Sequence, residues 1–98
     1  MTFRFHPEAE IEFNNAIDYY EESRQNLGLE FAQEVFAAIH RIIDFPEAWQ
    51  SMTSETRRCL TNRFPFGIIY MIIENEIVII AVMHLNKTPD YWKKRRAD

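Results

Sequence analysis

Ninety-eight residues, 47% of them apolar, 27% charged and only two of them glycine, describe one compact globular unit over 1–98 and exclude a disordered chain. A chain of this size buries roughly 60–65% of its extended surface on folding, enough for one small sheet with a few helices and too little for two independent cores. The formal charge of −4 argues against a nucleic-acid binder, but it is an average: residues 1–56 carry three basic side chains against eleven acidic ones, a net of −8, and residues 57–98 eight against four, a net of +4. Opposite halves of this kind point to a polyanionic or acidic partner for one face.

The lone cysteine, Cys59, has no partner for an intramolecular disulfide, which favours a reducing or indifferent compartment. The N-terminal Met-Thr-Phe-Arg-Phe-His-Pro-Glu lacks the charged start and apolar stretch of a signal peptide, so a cytoplasmic protein is expected. The most apolar region, Phe64 to Leu85, is split by Glu74-Asn75-Glu76 into runs of ten and nine residues. Both fall short of the roughly 20 residues a membrane helix needs, so no membrane contact is expected.

Phe3 and Phe5 alternate with polar neighbours and predict a short first strand. Pro7 suits the first position of a helix, and Glu8, Glu10 and Glu12 place negative charge at the positive end of its dipole. Ala9, Phe13, Ala16, Ile17 and Tyr20 form one apolar stripe, and this helix is expected to end near Asn26-Leu27-Gly28. After a break at Gly28, Phe31, Ala32, Val35, Phe36, Ile39, Ile42 and Ile43 repeat the helical period until Phe45-Pro46 stops it. Two amphipathic helices joined by a short Gly-containing turn make an α-hairpin.

Pro46 to Glu55 reads as a loop. Strands are predicted at Arg58 to Thr61, Phe66 to Ile73 and Ile77 to Leu85, the last two joined by a hairpin turn at Glu74-Asn75-Glu76. The order is β-α-α-β-β-β: an α+β fold with the helical hairpin on one face of a small antiparallel sheet. Strict alternation in the last strand sends Ile77, Ile79, Ala81 and Met83 to one face and Val78, Ile80, Val82 and His84 to the other. Both faces are apolar. A hairpin covers only one, so the second needs the C-terminal segment, a partner or a second copy. Beyond Pro89, Asp90-Tyr91-Trp92-Lys93-Lys94-Arg95-Arg96 predicts a short basic turn or helix.

Residues with chemical potential concentrate in the second half. His6, His40 and His84 are scattered and there is no Cys pair, so no metal site is expected. With Gly28 and Gly67 the only glycines, there is no phosphate loop, and no cofactor is implied. What remains is a basic and aromatic set: Arg57, Arg58, Arg63, Tyr70, His84, Lys87, Tyr91, Trp92 and Lys93 to Arg96. Metal-free RNA cleavage needs proton transfer at the 2′- and 5′-oxygens and cations beside the phosphorane. His84, Tyr91 and one or more of Arg57, Arg58 and Arg63 supply those types. The plainer reading makes His84 a hydrogen-bonding closure of the sheet edge, the arginines solvated or paired with the acidic helices, and Trp92 a seal on the core. Glu8, Glu10, Glu12, Asp18, Glu21, Glu22, Glu30 and Glu34 read as a solubilising outer face.

The ordered runs Arg57-Arg58-Cys59-Leu60, Arg63-Phe64-Pro65-Phe66-Gly67-Ile68-Ile69-Tyr70, Ile79-Ile80-Ala81-Val82-Met83-His84 and Pro89-Asp90-Tyr91-Trp92 resemble the RelE/ParE superfamily of toxins from type II toxin–antitoxin (plasmid stabilisation) systems. Phe5-His6-Pro7-Glu8-Ala9, Tyr19-Tyr20-Glu21 and Leu27-Gly28-Leu29-Glu30-Phe31 resemble its helical hairpin. The resemblance implies a helical hairpin on one sheet face and a toxic surface on the other, masked by an antitoxin segment. Its RelE-like branch cleaves ribosome-bound mRNA and its ParE-like branch poisons DNA gyrase.

An arginine of the RelE-like branch shortly before the strand tyrosine falls on Gly67, and a second, after the last strand, falls on Leu85. The branch's C-terminal tyrosine matches Tyr91, and His84 stands where some ribonuclease relatives have a histidine. Two missing cations place the chain nearer the ParE-like side, where no catalytic set is implied. The leading expectation is a growth-inhibiting toxin neutralised by a cognate antitoxin, with Tyr70, Lys87, Trp92, Lys93 and Arg95 as target- or antitoxin-binding residues. The alternatives are a ribosome-dependent mRNA endoribonuclease using His84, Arg63, Arg57 or Arg58, and Tyr91, and a non-toxic regulatory relative. A homodimer or a hetero-oligomer with the antitoxin is compatible with each.

Overall fold

A computed structural model describes residues 1–96. Its element order is β1 (Thr2–Phe5), α1 (Pro7–Ser23), α2 (Leu27–Asp44), β2 (Gln50–Ser51), β3 (Arg57–Leu60), β4 (Phe66–Ile73) and β5 (Glu76–His84). The five strands form one sheet in the order β1-β5-β4-β3-β2. β1 runs parallel to β5, with Phe3 opposite Ile77 and Phe5 opposite Ile79, and the other pairings are antiparallel. The sheet is therefore mixed rather than antiparallel throughout, because the chain reaches β5 last and lays it beside the first strand.

His6 caps α1: its Nδ1 accepts the Glu8 N–H at 3.0 Å, and Pro7 follows at the first helical position. The two helices pack their apolar stripes on one sheet face around Phe13, Phe31, Val35, Ile39 and Ile42, with Ile68, Tyr70, Ile77, Ile79 and Val82 rising from the strands. Aromatic edges fill this layer: Tyr20 meets Phe64 at 4.8 Å between centroids and Phe31 meets Phe66 at 4.8 Å. Each such pair is worth about 0.5–1.5 kcal/mol beyond its buried area.

The interhelical break differs from the sequence expectation. α1 stops at Ser23, α2 begins at Leu27, and the left-handed residue is Asn26 (φ 71°). Gly28 lies inside the first turn of α2, where a Cβ would stand 2.6 Å from the Ile17 carbonyl oxygen. The glycine is thus a close-approach residue between helices, not the breaker. Glu21 completes the join by accepting the N–H groups of Asn26 (2.9 Å) and Gly28 (3.0 Å). Gly28→Ala is expected to force the helices apart and cost about 1–3 kcal/mol, typical of overpacking, as measured by urea unfolding; a neutral or stabilising result would refute the close approach.

Two further differences concern the strands. The loop expected at Pro46 to Glu55 contains β2, where Gln50 pairs with Arg58 and Ser51 with Arg57. A two-residue strand has no periodicity to betray it. β4 and β5 are joined as expected by a tight turn, with Glu74 (φ 50°) and Asn75 (φ 66°) both left-handed, the geometry that matches the twist of a hairpin.

β5 departs from strict alternation. Ile69 faces Ala81 while Tyr70 faces Ile79, so Ile80 is an extra residue with no opposite number. Such a bulge shifts the alternation by one place. Ile77, Ile79 and Val82 consequently face the helices, whereas Val78, Ile80, Ala81 and Met83 share the second face with Ile69 and Trp92. The expected face assignment of Ala81, Met83 and Val82 is corrected accordingly: Ile80 stays with Val78 as expected, while Ile77 and Ile79 keep company with Val82 instead of Ala81 and Met83.

Candidate functional surface

The second sheet face is covered by the C-terminal segment. After β5 the chain runs through successive turns, with Tyr91 N–H to Thr88 O, Lys93 N–H to Asp90 O and Arg95 N–H to Trp92 O. These tight contacts form a tail rather than a regular helix. Trp92, only 2% exposed, seals the small core of Ile69, Val78, Ile80, Ala81 and Met83.

Glu12 is the main mooring of this tail, and Glu8 adds a longer contact with Arg95 Nε at 3.6 Å. β1 ends at Phe5, opposite Ile79, so the remainder of β5 lacks a strand neighbour on that side. There Val82 N–H donates to Glu12 Oε1 at 3.0 Å, and the Ile80 carbonyl accepts from Arg95 Nη1 at 2.9 Å. Glu12 also receives Arg95 on both oxygens at 2.9 Å and the Tyr91 hydroxyl at 2.7 Å. Arg95 further lies over the Tyr91 ring at 5.1 Å. The charge-assisted fork and the edge of the bulged strand thus satisfy one another. Burial and the neighbouring Glu12 carboxylate push the Tyr91 phenol well above its ordinary value, and the hydrogen bond to Glu12 raises Arg95 despite its desolvation.

Glu12 was expected on the solvated outer face. It lies instead between helix and sheet, with its side chain 19% exposed. The signal was available: Glu12 sits three residues after Ala9 and four before Ala16, inside the apolar stripe of α1. Glu21, Glu30 and Glu34 are likewise structural, since Glu21 caps α2, Glu30 pairs with Arg24 and Arg63, and Glu34 accepts the Arg63 N–H at 2.9 Å. Those two arginines hold the Glu30 carboxyl below its ordinary value.

The basic set does not converge. Arg63 is committed to Glu30 on α2 and stacks over Phe64. Arg57 donates to the Trp49 carbonyl at 2.8 Å and Arg58 to Gln50 Oε1 at 2.8 Å, so both brace the segment around β2. His84 and Tyr91 do share a cleft of about 410 Å³ between α1 and the end of β5, together with Lys87, Tyr19, Tyr20 and Glu12. His84 Nδ1 accepts the Asn86 N–H at 3.0 Å and its ring meets Phe66 edge-on at 5.1 Å. None of Arg57, Arg58 and Arg63 lines that cleft.

Of the residues expected to contact a target or antitoxin, Lys87 and Lys93 are exposed, while Arg95 is largely spent on Glu12. Tyr70 and Trp92 are core residues, with Trp92 only edging the groove on the second face. Tyr70 is fully buried and donates its hydroxyl proton to the Pro46 carbonyl. Burial pushes its phenol up to about 12. Because the folded state favours the neutral phenol, the stability this confers is complete below the unfolded value near pH 10 and is lost as pH rises from there towards 12. Alkaline titration followed by tyrosinate absorbance and circular dichroism is expected to show late ionisation coupled to unfolding, with Tyr70→Phe removing part of that coupling. Ionisation of every tyrosine near pH 10 without loss of structure would contradict it.

A larger groove of about 1010 Å³ runs beside the tail on the second face. Its lining includes Met71, Ile73, Ile80 and Trp92 on the apolar side and Arg4, Lys93, Lys94 and Arg96 on the cationic side, with Glu55 and Glu74 among them. Among the described residues no three His, Cys, Asp or Glu side chains are grouped as a metal site would need, and no helix is long and apolar enough to cross a membrane.

Two helices packed on one face of a five-stranded mixed sheet are consistent with the RelE/ParE-like fold. A solved structure of the chromosomal ParDE TA system from P. aeruginosa shares this fold with a TM-score of 0.75 at 17% identity, over 88% of this chain and 97% of that one. Residues 3–89 match the family model described as ParE toxin of type II toxin-antitoxin system, parDE, and the chain belongs to that family. No curated protein sequence matches it significantly.

Proposed function

We propose that this chain is the toxin component of a cytoplasmic type II toxin–antitoxin module, that it inhibits growth by contact with an essential target, DNA gyrase, and that a cognate antitoxin neutralises it. Family membership supports the module; the dispersal of the candidate catalytic groups favours contact over catalysis. A metal-free ribonuclease needs a cation beside the developing phosphorane charge, and losing one such stabilising group costs roughly 3–4 kcal/mol in the barrier. Here Arg63 serves α2, Arg57 and Arg58 brace the β2 segment, and the Tyr91 hydroxyl is committed as a hydrogen-bond donor to Glu12.

The test is induction of the chain without its antitoxin, with plasmid supercoiling and mRNA integrity followed together. Growth arrest with altered supercoiling and uncut messages is expected, and His84→Ala should leave the arrest intact. Messages cut at codons in wild-type cells but not in the His84→Ala strain would establish the ribonuclease reading instead. Normal growth under strong induction would leave a non-toxic regulatory protein.

A further inference from the structure

The cleft between α1 and the end of β5 is walled by rings in contact with one another. Tyr19 meets Tyr20 at 5.3 Å between centroids, Tyr20 meets Phe66 at 6.2 Å and Phe66 meets His84 at 5.1 Å, all close to edge-on. Ala16 opens the recess: it carries a methyl group where its neighbours on the same helix face, Glu12 and Tyr20, carry long side chains. The resulting space of about 410 Å³ lies within the range of roughly 300–1,000 Å³ usual for small-molecule sites. Tyr19, 65% exposed, forms its solvent side.

The polar groups of the cleft give it a sign. Glu12, the only acid of the lining among the described residues, receives Arg95 on both oxygens and adds little field of its own. Lys87 is exposed and makes no ion pair among the described residues; its Nζ lies over the Tyr91 ring at 5.2 Å. His84 Nδ1 accepts the Asn86 N–H at 3.0 Å, which leaves Nε2 as the donor of the ring. The Lys87 N–H bonds the His84 carbonyl at 3.0 Å, so one tight turn presents both groups.

We propose that this cleft binds a small planar aromatic monocarboxylate, its rings against the Tyr20 and Phe66 wall and its acid group at Lys87 and His84 Nε2. Flat rings meet such a wall in the offset and edge-on contacts that aromatic pairs prefer. A cationic ligand would also suit aromatic faces, but Lys87 and Arg95 already lie over Tyr91 at 5.2 and 5.1 Å and repel another positive charge. One ammonium and one ring N–H match the two oxygens of a carboxylate. A phosphate calls for the bidentate fork of an arginine, and the fork in this cleft is spent on Glu12. The site is independent of which target the chain acts on.

Naphthoate is the probe, compared with naphthylmethylamine, decalin carboxylate and adenosine monophosphate. Each is titrated into the full chain and followed by the NMR shifts of the Ala16 methyl, the Tyr20 and His84 rings and the Lys87 amide. Naphthoate is expected to saturate these shifts and to bind best, with the amine weaker by roughly fivefold or more. Ala16→Met fills the recess and should weaken naphthoate roughly tenfold or more with little change in melting temperature. Lys87→Met alters only an exposed side chain, and it should cost naphthoate roughly fivefold while sparing the amine. Cleft resonances that stay put at millimolar naphthoate, equal binding of acid and amine, equal binding of the flat and saturated rings, or indifference to Lys87→Met would each overturn the proposal. Tighter binding of adenosine monophosphate than of naphthoate would overturn it too, in favour of a nucleotide pocket.

Discussion

Trp92→Ala is expected to destabilise the fold by about 3–5 kcal/mol, the range for emptying a large aromatic site, and to lower the melting temperature by roughly 15 °C or more for a chain of this length. Total stabilities of small domains are about 5–15 kcal/mol, so the variant would sit near the limit of folding at body temperature. The reason is geometric: the helices cover only one sheet face, and Trp92 is the largest buried side chain on the other, over Ile69, Val78, Ile80 and Met83. Trp92→Phe should cost far less. The indole N–H is buried with no hydrogen-bond partner among the described residues, and removing an unpaired donor recovers about 1–3 kcal/mol of desolvation penalty. Urea unfolding of both variants, with ANS binding as a readout of the uncovered face, checks the pair. A loss below about 1 kcal/mol for Trp92→Ala would mean that the tail is an ornament on an already complete core, contrary to an interior of the usual close packing.

The elements legible in the sequence were those with enough length to show a period or a local device. The Phe3 and Phe5 alternation, the two apolar stripes, the Phe45-Pro46 stop and the Glu74-Asn75 turn are read from neighbours a few residues apart. The paired halves of the charge distribution were legible too, and part of their meaning became internal: Arg63 meets Glu30, and Arg95 meets Glu12. The dissenting features are of another kind. β2 is too short to have a pattern, and the bulge at Ile80 is hidden because β-branched and apolar residues occupy both faces of β5. Gly28 is ambiguous in sequence, since the residue that breaks a helix is also the one that lets two helices touch. Glu12 and Arg95 are 83 positions apart, so neither announces the other. The burial of Tyr70 and Trp92 was hidden for a related reason: aromatic residues beside basic ones look like a binding surface until their packing is known.

Breaking the mooring from either side is expected to cost about 3 kcal/mol. Glu12→Leu leaves the Tyr91 hydroxyl and the Val82 N–H without their acceptor and the Arg95 guanidinium with only the Ile80 carbonyl and the longer Glu8 contact, and Arg95→Leu leaves the Glu12 carboxylate and the Ile80 carbonyl without the fork. With side chains only 11% and 19% exposed, the charge left behind is poorly solvated, and stranding one partner of a largely buried pair costs in the range of about 3–5 kcal/mol. The double replacement Glu12→Leu/Arg95→Leu should cost clearly less than the sum, because neither charge remains to be stranded; the cycle is expected to return a coupling of about 2 kcal/mol. Hydrogen exchange gives the local readout. In each single variant the Val82 amide and the turn amides of Tyr91, Lys93 and Arg95 should exchange faster than those at the centre of β4, since the tail opens while the helical side of the core stays closed. Additive losses, or exchange accelerated uniformly across the chain, would show that Glu12 and Arg95 act separately and that the tail is held by Trp92 alone.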